Sequence, residues 1–227
     1  MLVAGLINPN MSIIKTIRII IVDDHAMVRE GLRSLLQRLP GVEVIAEAAD
    51  GRTATKLAAE LLPDVVLMDI AMPDLNGIDA TRQLMASGDG AKVIALSGRA
   101  NARFAKEMLK VGASGFVLKE SAFKELAEAL RTVMADRVYF SPSIAKAVMA
   151  EMRSGEDGPS LALSVREREV LQLMSEGKAT KEIARRLSLS GKTIETHRRN
   201  LMEKLKLYSV AELTKYAIRE GVTTAEI

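Results

Sequence analysis

Residues 64–77 read DVVLMDIAMPDLNG: four consecutive apolar side chains, an aspartate, a proline-containing turn, then Asn-Gly where a helical pattern begins. An apolar run of this length, with no polar alternation, predicts a strand buried on both faces, as in a parallel sheet flanked by helices. In such sheets ligands bind at the carboxyl ends of the strands. Asp69, directly after the run, therefore stands where chemistry is expected.

The same unit repeats on either side. Apolar runs at Ile17–Val22, Val42–Ala48, Asp64–Met68, Lys92–Leu96 and Gly115–Leu118 alternate with amphipathic stretches at His25–Arg38, Arg52–Leu61, Gly77–Met85, Ala102–Lys110 and Ala122–Met134. The pattern predicts an α/β, doubly wound, five-stranded parallel sheet over residues 15–135. Residues 136–160 read as a connector. Ser141-Pro142 starts a short helix through Met152, and Arg153–Ala162 (RSGEDGPSLA) has linker composition. From 161 to 227 the pattern is all-α: Val165–Ser175, Lys181–Leu187, Lys192–Leu205 and Val210–Arg219. Ser164 with Glu167, and Ser209 with Glu212, form capping-box pairs, and Ser190 is a natural N-cap.

Composition narrows the function classes. Cysteine is absent, which excludes disulfides, thiolate metal sites and a cysteine nucleophile. No run approaches the roughly 20 apolar residues of a membrane span, and residues 1–10 lack the basic segment and cleavage site of a signal peptide. A cytoplasmic protein with no membrane partner is expected; Met11 is an alternative start. The net charge of +3 is unevenly placed: from Leu161 onward 13 lysines and arginines face 9 acidic residues, whereas the rest carries 19 against 20. The basic excess falls on the helical part, as in a nucleic-acid-binding module joined to a neutral one.

Five polar side chains converge on the strand ends. The first strand runs into Asp23-Asp24, the third into Asp69, the fourth into Ser97 and the fifth into Lys119. Clustered carboxylates make a hard oxygen site suited to Mg²⁺. Asp69 can serve as a nucleophile that accepts a phosphoryl group as an acyl phosphate, with Lys119 and the Ser97 hydroxyl facing the transferred oxygens. No further base is needed, because phosphoryl transfer depends mostly on position and electrostatics.

With these residues in place, the segment resembles the receiver domain of two-component response regulators. The resemblance implies an acidic pair Asp23 and Asp24, a phosphoacceptor Asp69, a switch hydroxyl Ser97, a switch aromatic Phe116 that rotates inward, and a conserved-type lysine Lys119. It also implies that the backbone carbonyl of Ala71 joins the carboxylates as a Mg²⁺ ligand. The chain departs from the common pattern at Gly98-Arg99 and in having Phe rather than Tyr at 116, which bears on dephosphorylation rate and on the switch.

The helical part, LSVREREVLQLMSEGKATKEIARRLSLSGKTIETHRRNLMEKLKL at 163–207, carries nine lysines and arginines against three glutamates between Lys178 and Lys206. It resembles the LuxR-type helix-turn-helix of the NarL/FixJ class, a four-helix module. By that resemblance Lys192–Lys204 is the recognition helix. Glu195, Thr196 and Arg199 face base edges, and Lys192, Thr193, Arg198, Asn200 and Lys204 lie nearer phosphates or adjacent bases. Thr180 and Lys181 contact the DNA backbone. A sensor histidine kinase as phosphodonor, double-stranded DNA, and an active homodimer are the partners implied; short half-sites call for two modules about one helical turn apart. The last helix would offer Val210, Leu213, Tyr216 and Ala217 as the dimer face. The protein is then not an enzyme for other substrates, although it takes part in its own phosphotransfer and autodephosphorylation.

Three rivals fare worse. A phosphorylation-independent DNA-binding regulator, whose receiver only mediates contacts, is disfavoured by the intact acidic set. A phosphatase of the haloacid-dehalogenase type needs a second aspartate two residues after the nucleophile, where this chain has Ala71. RNA binding wants aromatic stacking platforms, and aromatics make up only 3% of the chain.

Overall fold

A computed structural model describes residues 16–154 and 163–223; the expectations for residues 1–10 and for most of the linker fall outside them. The chain opens with β1 (Ile17–Val22), α1 (Ala26–Leu36), β2 (Val42–Ala48), α2 (Gly51–Leu61), β3 (Val65–Asp69) and α3 (Gly77–Ser87). It continues with β4 (Lys92–Ser97), α4 (Ala102–Lys110), β5 (Gly115–Leu118), a 3-10 turn at Lys119–Ser121, and α5 (Ala122–Met134). The strands lie parallel in the order β2-β1-β3-β4-β5-β6. The first five form the flavodoxin-like order, in which the chain reverses direction at β1/β3.

The expected five strands are corrected to six. β6 (Tyr139–Phe140) pairs with β5 through Gly115–Tyr139 and Phe116–Phe140. Two half-buried residues show no periodicity, and the turn that delivers them is made by Asp136 at φ +56°. Pattern reading has nothing to detect in so short an edge strand.

Strand alternation divides the core in two. Ile20, Val22, Val66, Met68, Ala95 and Phe116 face α2, α3 and α4. Ile19, Ile21, Val65, Leu67, Ile94 and Leu96 face α1 and α5. Both faces of each central strand are dry, so each large aliphatic side chain contributes about 1.5–3 kcal/mol relative to exposure. In β3 and β4 polar side chains are confined to the strand ends.

After α6 (Pro142–Ser154) come α7 (Val165–Ser175), α8 (Thr180–Arg186), α9 (Gly191–Leu205) and α10 (Val210–Arg219), which enclose a separate apolar core. Ser164 and Ser209 form complete capping boxes with Glu167 and Glu212, and Ser190 caps α9 through the Thr193 N–H. Leu213 and Ala217 belong to this core and are fully buried, so they are not available for the expected dimer face; Val210 remains exposed.

The helical unit is docked on the sheet unit. Buried Gln172 of α7 bonds to Asn76 at the start of α3, and Arg168 Nε donates to Asp79 Oδ1 at 2.8 Å. Arg103 of α4 pairs with Glu220. Gly221 lies against the Phe104 ring so closely that a Cβ there would stand 2.1 Å from a ring carbon.

Candidate functional site

The carboxyl ends of β1, β3 and β5 bring Asp23, Asp24, Asp69 and Lys119 together. Asp69 is the last residue of β3 and almost wholly buried, because α3 starts hard against it. A Cβ on Gly77 would meet the Asp69 carbonyl oxygen at 2.0 Å, so a glycine at 77 is what allows this approach. Lys119 Nζ lies 2.6 Å from Asp23 Oδ2 and 2.8 Å from Asp69 Oδ2. Both oxygens are buried, and the ammonium between them offsets their charge.

One lysine faces three carboxylates, leaving a formal charge of −2 among these four groups. The donor set is oxygen-rich and short by two positive charges, which suits a divalent cation. His25 joins the cluster: its Nδ1 is 2.8 Å from Asp24 Oδ1 and 3.3 Å from Asp23 Oδ1. Asp23, Asp24, His25 and Asp69 each offer a ligand atom, all within 4.8 Å of one another. His25 was not among the residues expected from sequence, although its place directly after the acidic pair was the available signal.

Burial pushes the Asp69 carboxyl up to about 6; Asp23 adds to the rise and Lys119 opposes it. For Lys119, burial pulls the ammonium down, but Asp69 and Asp23 prevail and raise it. Asp69 Oδ1 accepts from the Ala71 N–H at 3.3 Å, which holds the first turn of the β3–α3 loop over the carboxylate.

The remaining receiver candidates are placed as follows. Ser97 ends β4; its Oγ donates to the Arg99 carbonyl at 2.8 Å and is thus turned into the β4–α4 loop. Phe116 is only 1% exposed and packs with the α4 cluster. In this conformation the ring lies inside, in one cluster with residues of α4 and Ile144 of α6.

On α9 the expected residues divide into four groups. Lys192, Glu195, Thr196, Arg199 and Asn200 are exposed, at the helical spacing that makes one solvent stripe. Thr193 is half-buried beside the Ser190 cap. Arg198 reaches Thr180 Oγ1 at 3.3 Å and Glu195 Oε1 at 3.2 Å, and Thr180 donates to Glu195 at 2.8 Å, so α8 and α9 are tied by their own polar groups. Lys181 is exposed at the start of α8. Lys204 turns back to α7 and pairs with Glu167 Oε2 at 2.7 Å. Its ammonium is thereby engaged with α7, although the side chain stays about half exposed at 47%.

Sequence reasoning did not find the polar seam between the two units. Its members, Asn76, Asp79, Arg168, Gln172 and Glu176, read individually as ordinary capping or solvent-facing residues. Burial raises the Glu176 carboxyl, against the lowering by Gln172 and Lys178. A cavity of about 290 Å³ opens between the units, with Asp24 and Ala71 on one wall and Glu176 and Lys178 on the other.

Comparison with known proteins agrees with this division. Residues 19–131 match the response regulator receiver domain, and residues 161–217 match the bacterial regulatory proteins of the luxR family. The response regulator GacA of Pseudomonas protegens is 36% identical over 93% of this chain and 100% of its own length. The transcriptional regulatory protein LiaR of Bacillus subtilis is 38% identical over 89% of this chain and 97% of its own. Among solved structures, RcsB from Salmonella enterica serovar Typhimurium, bound to promoter rprA in the presence of the phosphomimetic BeF3-, aligns with a TM-score of 0.61 at 28% identity. That alignment covers 88% of this chain and 98% of RcsB.

Proposed function

The chain belongs to the response regulators that join a receiver domain to a LuxR-family helix-turn-helix domain, and on that premise we propose that it is a phosphorylation-dependent, DNA-binding transcription regulator whose phosphoacceptor is Asp69. The observation that carries the assignment is Lys119 Nζ, which stands within 2.8 Å of both Asp23 and Asp69 at the mouth of a dry sheet. Residues 15–135 are the receiver, 136–160 the connector and 161–227 the DNA-binding module.

A carboxylate oxygen of Asp69 attacks phosphorus. A new P–O bond forms as the donor's bond breaks, a P–N bond when the donor is the phosphohistidine of a sensor kinase. Lys119 holds positive charge beside the transferred oxygens. Asp23, Asp24 and Asp69, with the Ala71 carbonyl, would hold Mg²⁺, which when bound offsets the charge on the phosphoryl oxygens. Ser97 leaves the Arg99 carbonyl and donates to the phosphoryl group, while Phe116 fills the space behind it. The added charge of about −1.5 to −2 favours the state that interacts with it best. The acyl phosphate is later lost to water, so the receiver resets itself. Phosphorylation favours a homodimer whose α9 helices meet successive half-sites in the major groove of double-stranded DNA. The protein works in the cytoplasm; among the described residues no helix is long and apolar enough to cross a membrane.

Incubation with acetyl phosphate and Mg²⁺, followed by intact-mass measurement, tests the assignment. One phosphoryl group is expected on the wild type and none on Asp69→Asn; stoichiometric labelling of that variant would overturn it.

A further inference from the structure

The loop of residues 70–76 leads from Asp69 to α3 and carries the Ala71 carbonyl. Ile70, Met72 and Leu75 anchor it in the core of the sheet unit, and further polar contacts reach it from the far end of the chain. Gln172 of α7 is a fully buried polar side chain. Its Nε2 donates to the Met72 carbonyl at 2.9 Å and to Glu176 Oε1 at 2.8 Å. Its Oε1 accepts the Asn76 N–H and Nδ2, each at 3.0 Å. One carboxamide thus uses both of its donors and accepts twice, and three of the four bonds go to the loop.

Between Met72 and Asn76 stands Asp74, a non-glycine residue at φ +67°. Left-handed backbone is unfavourable for a residue with a Cβ, and it persists where the surroundings hold it. Here both holds come from the helical unit. The Asp74 N–H donates to Glu176 Oε1 at 3.2 Å, and Arg186 donates to the Asp74 carboxylate.

We propose that Gln172 and Glu176 are positioning residues for the divalent-cation site of the receiver: docked, they hold the 72–76 loop in the shape that presents the Ala71 carbonyl, so cation binding and domain docking favour each other. The proposal rests on the reading of Asp23, Asp24, Asp69 and Ala71 as the cation's ligands. Its consequence is reciprocal, because any factor by which docking tightens the cation is the factor by which the cation tightens docking. A docked domain that only covered the site would leave cation affinity unchanged or weaken it.

The test is calorimetric titration of the full chain with MgCl₂, comparing wild type, Gln172→Glu, Glu176→Ala and the exposed control Lys215→Ala. Gln172→Glu keeps the shape but cannot donate to Met72, and it sets a second carboxylate beside Glu176. A rise of about five- to tenfold in the Mg²⁺ Kd is expected for both clamp variants, with the control within twofold of wild type. Small-angle scattering supplies the reverse measurement: Mg²⁺ should shift the wild type towards the docked, more compact form. Should Gln172→Glu not fold, Glu176→Ala decides, because its side chain is only partly covered. Clamp variants that bind Mg²⁺ within twofold of wild type, or more tightly, overturn the proposal and leave the Asp69 assignment standing. A wild type that binds no Mg²⁺ overturns both.

Discussion

Asp69 and Lys119 meet 2.8 Å apart although one ends β3 and the other follows β5, with β4 between those strands in the sheet. The lysine is the cationic side chain paired with both Asp23 and Asp69. Replacing Lys119 by Gln leaves the carboxylates facing one another and removes the charge that meets the transferred oxygens. The initial rate of labelling by acetyl phosphate at saturating Mg²⁺ should fall about 10²-fold, the usual effect of losing such a donor. A rate within twofold of wild type would remove Lys119 from the chemistry.

Asp69 also carries a stability cost when ionised. Its carboxyl is raised from 3.8 to about 6, with burial as the main cause. The folded state therefore binds the proton more tightly than the unfolded chain does. Stability from this group is complete below about pH 4 and is lost as pH rises through 6. In the presence of a chelator, Asp69→Asn should be more stable than wild type at pH 7.5 by an amount on the order of 1–3 kcal/mol. The advantage should vanish near pH 4, as read from denaturant titrations at both pH values. An equal difference at both would show that ionisation is not its source.

Gly77 permits α3 to start against the Asp69 carbonyl. Gly77→Ala brings a methyl group to backbone that cannot step aside, and overpacking of this kind costs about 1–3 kcal/mol. Because the strain falls on β3 itself, phosphoryl incorporation should drop together with the melting temperature. A variant that melts lower but labels at the wild-type rate would separate the two.

The exposed stripe of α9 distinguishes reading from holding. Arg199→Ala should cost about 1–3 kcal/mol on the cognate operator and relax preference at one base position. Lys192→Ala should weaken binding to all sequences and reduce the salt slope by about one. Lys204→Ala should do neither, since that ammonium is committed to Glu167 on α7. Salt-dependent binding curves on specific and scrambled duplexes check all three; a Lys204 effect equal to that of Lys192 would place it on the DNA after all.

What the sequence made legible follows the physics of each element. Ile17–Val22 and Gly115–Leu118 are read to the residue because strands buried on both faces leave an unbroken apolar run. Val165–Ser175 and Val210–Arg219 are equally clear because serine caps mark their starts. Asp69 and Lys119 stand out as charges at the ends of dry strands. β6 stays hidden for want of length. The docking seam stays hidden for another reason: Gln172 and Asn76 are 96 positions apart, and a polar residue that is buried only by its partner looks like any solvated one. His25 is a different case: it stays exposed, and its place directly after the acidic pair was the one signal for it.

The stripe of Lys192, Glu195, Thr196, Arg199 and Asn200 is open to solvent while the two units are docked. Docking therefore does not hide the reading helix. A silent molecule can already ride the phosphate backbone through contacts that ignore sequence and fade with salt. On the proposed reading, phosphorylation would then act on the pairing of two copies near an operator and not on access to the helix.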